Sequence, residues 1–524
     1  MNHCAILKKI GNQSGWVAAL FGSIVALIPW ILPLDAFAQS TDNDQLLESQ
    51  PGWSVLYVQQ LSSSEIPFWF AANRGGMFAD ASTVNSQLQV RYLTKVEPIF
   101  RGISMRTGFL GTALYSDADP IVRVHNLFAH VEGYRFRLSI GRYDEVVGHG
   151  APHLSTGKMM LSRNAVPTWK ISFQTPDFVD VPYLRGYVAF KGRWSEEWTT
   201  DERYVDGAMV HRKFGYINVR PIPQLNLIGG IVHNVMYGGT HPVLGVTHTF
   251  ETYVKDIFGF QYENSKTPLG NGVAAYDFSA EYHAGDWTLA ASKIMYLEDR
   301  VSANIRSAWD GLWSGWFELH KKNRPVLVDY IMYEHLNTRR QDAMDFDLRG
   351  RAKYGAHRHW RSGYTHHSRI FGSSLFGFTP MVVTETTSPI TNNIIVAHHA
   401  GIKGDLSETV RWAAMATYSR NYGICSDQLP ESISRRASCY HKNYDGINLR
   451  EMEGIIPPRD LRKDRYSLYL AVSKRWQWSH LTISPISDEA YPQSFTLKVA
   501  FASDWGEFYE ETRYGVEITA QIQY

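Results

Sequence analysis

The stretch Tyr514-Gly-Val-Glu-Ile-Thr-Ala-Gln-Ile-Gln-Tyr524 decides the fold. Tyr514, Val516, Ile518, Ala520 and Ile522 are apolar or aromatic, and Gly515, Glu517, Thr519, Gln521 and Gln523 lie between them. A strict period of two marks a strand with one apolar and one wet face. Here it ends on an aromatic residue at the last position of the sequence. Hydrocarbon offers no hydrogen bonds to an open strand edge, so a sheet in a bilayer must close on itself, with aromatic residues at the interface. The stretch predicts an all-β chain folded as a transmembrane antiparallel β-barrel.

The opposite end agrees. Lys8 and Lys9 precede an apolar stretch from Trp16 to Leu34, and Ala36-Phe37-Ala38 places small residues where a signal peptidase reads. Residues 1–38 are expected to be a signal peptide, with export to the bacterial outer membrane; the other reading of so long a stretch is an anchor helix. Cys4 lies before the apolar core, which argues against a lipid anchor at the cleavage point. Residues 39–66 are expected to form an N-terminal periplasmic segment and residues 67–524 the barrel.

Composition fits. Aromatic residues make up 13% of the chain, with 41 Gly and 29 Tyr, yet mean hydropathy is −0.27. That balance is expected when half of each strand faces water. Once Lys8, Lys9 and Asp35 leave with the leader, basic and acidic residues are equal in number. A nucleic-acid partner is excluded, since phosphate contacts need a basic excess. The two remaining cysteines, Cys425 and Cys439, share one polar segment. In an oxidising compartment they are expected to form a disulfide, contributing roughly 3 kcal/mol by closing a short loop.

Alternation recurs along the chain. Phe136, Leu138 and Ile140 interleave with charged or polar residues, as do Tyr276, Phe278, Ala280 and Tyr282. The Gly285-Asp286 turn then leads into Trp287, Leu289 and Ala291, a hairpin signal. Val410 to Tyr418, Tyr466 to Val472 and Phe495 to Phe501 repeat the pattern. With a periplasmic carboxyl end, strand parity puts Gly285-Asp286, the Lys321 to Pro325 link and a Gly404-Asp405 turn on the periplasmic side. The same parity puts the Asn421 to Asp464 segment and the link around Asp504 to Glu511 outside. Short turns inside and long loops outside is the asymmetry of outer-membrane barrels.

Several blocks carry a resemblance: PFWFAANRGG from Pro67, LSTGKMMLSRNAVPTWK from Leu154 continuing to VPYLRGYVAFKG, GGIVHNVMYGG from Gly229, YEHLNT from Tyr333 and GYTHHSRIFGSSLFG from Gly363. In these the chain resembles the Wzi-type capsule assembly family, from about Pro67 onward. The resemblance implies a barrel of about 18 strands, a small helical element on the periplasmic side near the amino end, and lectin-like binding of capsular or extracellular polysaccharide in place of catalysis. The alternative is a porin or specific uptake channel.

Read from the residues alone, the SRNA block with Pro167, Pro176 and Pro182 cannot be a regular lipid-facing strand, because proline lacks the ladder donor. Irregular backbone survives at membrane depth only where protein or water surrounds it. The block is therefore expected to plug the lumen or lie across a mouth, with Arg163 and Asn164 as buried polar anchors.

Sugars are held by aromatic faces and forked donors. The expected outer loops supply them as Arg339, Arg340, Arg358, Trp360, Tyr422, Arg435, Arg436, Tyr440 and Tyr444. These side chains also suit lipopolysaccharide phosphates, alongside the outer-membrane lipid that the wall requires, or plain solvation. His357, His359, His366 and His367 are close in sequence but follow no metal motif, and no metal or other cofactor is expected. There is no GxSxG, HExxH, phosphate-binding loop or dinucleotide fingerprint, and Ser155 near His153 is only a nominal catalytic pair. A non-enzymatic, monomeric barrel is the expectation.

Overall fold

The terminal strand zips against a strand near the amino end, so the sheet has no open edge. In the computed structural model, Arg513–Gln523 pairs antiparallel with Gly52–Ser62, from Ser54 opposite Gln523 to Ser62 opposite Gly515. The structure describes residues 51–118, 120–246, 250–258, 270–297, 308–320, 324–339, 354–357, 359–379, 383–384, 388–424, 443–444, 447–448, 462–478 and 493–524.

Eighteen strands form the closed antiparallel wall. They are β1 (Gly52–Ser62), β2 (Val84–Leu93), β3 (Ile103–Ser116), β4 (Ile121–Gly133), β5 (Phe136–Arg142), β6 (Trp169–Gln174), β7 (Val188–Trp198), β8 (Met209–Ile222) and β9 (Leu225–Tyr237). The second half comprises β10 (Asn271–Ala284), β11 (Trp287–Leu297), β12 (Gly311–Leu319), β13 (Tyr330–Asn337), β14 (Ile395–Asp405), β15 (Val410–Asn421), β16 (Lys463–Trp478), β17 (Gln493–Trp505) and β18 (Arg513–Gln523). Each pairs with its sequence neighbour, an up-and-down topology.

Polarity across the wall is inverted relative to a water-soluble sheet. Phe278 and Ile518 are 48% and 41% exposed on the outer face, while Asp277 and Glu517 beside them in sequence are buried on the luminal face. Apolar surface on this scale is stable only against hydrocarbon.

The barrel begins at Gly52, so the segment expected to precede Pro67 contains its first strand. Gly404 and Asp405 also differ from expectation: both belong to β14, and the turn is 406–409. Gly404 is needed for close approach, since a Cβ there would stand 2.0 Å from the Leu327 carbonyl oxygen.

Gly52 and Gln523 share one end of the barrel, and alternation puts 134–135, 223–224, 285–286, 320–329 and 406–409 at that end. The links 63–83 and 143–168 and the described parts of 238–270, 338–394 and 422–462 lie at the other. Both described helices sit on that far side: α1 (Phe68–Ala71) in the first of these links and α2 (Phe250–Phe258) in the third. The expected periplasmic helical element is therefore not found among the described residues. The four-residue α1 packs inside the wall because Trp69 and Phe70 have no lipid-facing alternative. The leader and the Cys425–Cys439 pair lie outside the described residues.

Candidate functional site

Three links at the far end turn inward and fill the lumen: 63–83, 143–168 and the described part of 338–394. In the first, Phe68 donates its N–H to Asp504 Oδ2 at 2.6 Å, and the Phe70 ring meets Tyr469 edge-on at 6.4 Å. In the second, proline prevents a ladder, so side chains and the wall satisfy the backbone instead. Thr156 donates from both N and Oγ1 to Glu334 Oε2 at 2.8 Å, and Ser155 Oγ donates to Oε1 at 2.6 Å. Lys158 Nζ donates to the Ala151 carbonyl at 2.9 Å; burial pushes its pKa down, against the opposing pull of Glu334 and Asp277. Met159, Met160, Leu161 and Ala165 then pack with Tyr364, Phe371, Leu375 and Ile390 of the third link in one apolar core. The part of the block up to Pro167 folds into the lumen as expected; Pro176 and Pro182 do not, because Trp169–Gln174 and Val188–Trp198 join the wall and leave both prolines in a link at the opposite end.

The three links meet where Asn73-Arg-Gly-Gly76, Ser162-Arg-Asn-Ala-Val166 and Thr365-His-His-Ser-Arg369 come together. The Gly75 N–H donates to the Arg163 carbonyl at 2.5 Å. Gly75 has φ +64, and a Cβ there would stand 2.6 Å from the His125 ring, so only glycine fits. Ser162 Oγ donates to the Gly372 carbonyl at 2.7 Å and Asn164 Nδ2 to the Ile370 carbonyl at 3.0 Å. His366 donates from Nδ1 to the Val166 carbonyl at 2.8 Å and accepts the Thr200 N–H at Nε2, 3.1 Å away. Burial holds His366 well below its ordinary pKa, so it stays neutral and keeps this tautomer. Arg369 donates to the Phe78 carbonyl at 3.1 Å and pairs with Asp80. Three stretches remote in sequence are thus sewn into one body.

Asn164 is a buried anchor; Arg163 is half-buried, and its charge reaches Asp144. Replacing Asn164 by Ala removes a buried bond to the Ile370 carbonyl. The expected loss is about 1–3 kcal/mol, read from urea unfolding of the refolded barrel; an unchanged midpoint would show that this contact does not hold the plug.

The expected sugar-facing residues divide. Arg339 is exposed, its guanidinium carbon 4.7 Å from the centre of the Tyr422 ring, which brings two loops together. Tyr422 itself is 4% exposed and packs with Ile394 and Val396. Trp360 is 2% exposed within the plug core. Both aromatic rings therefore serve packing and present no free face, a correction to their reading as surface platforms: long outer loops folded inward bury the aromatics they carry. Tyr444 lies in a two-residue ladder opposite Ile447. Arg340, Arg358, Arg435, Arg436 and Tyr440 fall outside the described residues.

The four histidines separate into two pairs. His357 and His359 lie 5.9 Å apart, ring to ring, with His241 a further 5.9 Å from His359; His366 and His367 face Thr200. Ser155 hydrogen-bonds the Glu334 carboxylate, and His153 lies 3.6 Å from Glu318 and edge-on to Tyr330. Sequence reasoning missed Glu334, which anchors the plug, and Arg123 and Arg142, which face it. A signal was present for Arg142: alternation in β5 gives way to Arg142-Tyr-Asp-Glu145, a run of charges where a strand leaves the wall.

No known protein family and no curated protein matches the sequence. Solved structures do. The chain is similar to Wzi of Escherichia coli, an outer-membrane protein involved in group 1 capsule assembly and described as a carbohydrate-binding β-barrel. The TM-score is 0.51 at 12% identity, over 90% of this chain and 84% of that one. OccD3 and OprD of Pseudomonas aeruginosa each align at a TM-score of 0.40. Their identities are 8% and 10%, over 90% of this chain and 90% and 96% of theirs. At these identities the likeness is one of fold: this chain is a closed barrel of the outer-membrane kind.

Proposed function

We propose that this protein is a non-enzymatic outer-membrane barrel that binds capsular or extracellular polysaccharide and organises it at the cell surface. The observation that carries the reading is the plug. A wall of this strand number encloses an aqueous channel unless something fills it, and here three links fill it. The far-end surface, built from those links and the outer loops, is then the part free to meet a partner. The Escherichia coli barrel of the same fold binds carbohydrate, which supports the ligand class. Arg339 and the loop arginines and tyrosines beyond the described residues are the proposed contacts, with lipopolysaccharide as a neighbour and the monomer as the working unit.

The test is binding of the refolded full chain to the producing cell's own surface polysaccharide, with a variant lacking residues 424–461 beside it. Saturable binding that the variant loses is expected. Absence of binding in both forms overturns the reading. The wall size itself favours a second reading, a porin or specific uptake channel; stable single-channel steps from the intact protein in a planar bilayer would select it.

A further inference from the structure

Where the three links meet, positive charge exceeds what the neighbouring carboxylates neutralise. Arg123 near the outer end of β4, Arg142 at the end of β5 and His367 on the Thr365–Arg369 turn lie within electrostatic range of one another. Asp144 is engaged by His125 Nε2 at 3.0 Å, Asn126 Nδ2 at 3.3 Å and the charge of Arg163, and its single charge is also the carboxylate that Arg142 feels. Asp201 accepts the His367 N–H at 3.1 Å and lies 3.5 Å from Arg203. Arg123 reaches the Gly76 carbonyl at a long 3.4 Å. Arg142 is 7% exposed, and its Nε and Nη2 have no hydrogen-bond partner.

A buried guanidinium with idle donors is costly, and native structures rarely leave one without a reason. Its fork matches the two oxygens of a carboxylate or one edge of a phosphate. Thr200 and Ser368 beside His367 are exposed, with Thr200 Oγ1 3.2 Å from His367 Nε2. His367 and Ser368 both hold left-handed backbone, φ +46 and +60, a strained conformation in which to keep two non-glycine residues near two arginines. Burial, with Arg123 and Arg142 adding to it, pushes the His367 pKa down to about 4. At neutral pH the imidazole therefore offers a hydrogen bond without a third charge.

We infer that Arg142, Arg123 and His367 form a subsite for one oxyanion group of an acidic glycan, a uronate carboxylate, with Thr200 and Ser368 placed for its neighbouring hydroxyls. This deepens the polysaccharide-binding reading and rests on it for the source of the anion. A phosphate of lipopolysaccharide offers the same chemistry, so the experiment separates the two.

The full refolded chain is titrated calorimetrically with tri-galacturonate, with its methyl ester, and with inorganic phosphate as competitor. The acid is expected to bind saturably and the ester at least about tenfold more weakly, the worth of a charge-assisted hydrogen bond. Arg142→Gln and, separately, the half-buried Arg123→Gln should each weaken the acid about tenfold or more. Arg142→Lys should recover part of the loss, because it keeps the charge and loses the fork. The second arginine keeps the test alive should Arg142→Gln not refold, which heat-modified gel mobility shows directly. Equal affinity for acid and ester, undiminished binding in both glutamine variants, or binding of phosphate without the acid would each overturn the uronate subsite. Ester-insensitive binding of the cell's own polysaccharide would sink the subsite and leave the functional reading standing. Arginine-dependent uronate binding without any affinity for that polysaccharide would do the reverse.

Discussion

Deleting residues 148–166 and joining the ends through a short Gly-Ser linker is expected to turn a silent barrel into a conducting one, with discrete single-channel steps. The wall does not change, because β5 and β6 still pair with each other and with their outer neighbours. What disappears is the segment that ties Glu334 and Asp277 of the wall to the other two links. Wide barrels of this class hold water wherever side chains do not fill them. Glu334→Gln should give a milder form, with brief openings, because an amide oxygen still accepts from Thr156 while the charge-assisted bonds are lost. A deletion variant that refolds, shifts on a gel as a native barrel does and stays electrically silent would show that the links 63–83 and 338–394 suffice as a plug.

The second large effect is expected at Glu517 on β18. Its carboxylate is fully buried and holds three elements at once. Arg74 pairs with it, its second amino group 3.0 Å from Oε1; Lys498 of β17 lies 3.0 Å from Oε1; Gln60 of β1 donates to Oε2 at 2.8 Å. Glu517→Ala leaves two cations facing each other without a counter-ion at the seam where the barrel closes. Breaking such a pair from one side costs about 3–5 kcal/mol. The lower figure applies here because the side chains of Arg74 and Lys498 keep 21% and 29% of their exposure. Urea unfolding in vesicles measures the loss, and Arg74→Met added to Glu517→Ala should restore part of it. If the double variant is no more stable than the single, the stranded charge is not the cause.

How far the sequence could be read depended on what each strand faces. The terminal strand and those around Phe278 and Leu470 were legible because one face meets lipid and the other meets polar luminal groups, which writes a period of two into the residues. β1 was not legible for the same physical reason turned round. Its outer face carries Trp53 and Leu61, but its luminal face carries Leu56 and Val58, which pack on the α1 side of the plug. With apolar residues on both faces the alternation vanishes, and the barrel seemed to start after it. Proline foretold the inward fold only at Pro167, since Pro176 and Pro182 interrupt the wall at a link on the other side; the partners of Ser162 and Asn164 were not legible, because Ile370 and Gly372 lie some two hundred positions away.

By itself, the sequence determined that this chain is a closed transmembrane barrel with an irregular block unable to join the wall. Both follow from local rules: hydrocarbon forbids open edges, and proline forbids a ladder. Only the tertiary structure decided which loops fold inward, that Trp360 and Tyr422 are core residues, and that Arg123, Arg142 and His367 come within electrostatic range of one another. Those outcomes depend on contacts between residues far apart in the chain, where burial and partner are set by the packed whole and by no neighbour in sequence.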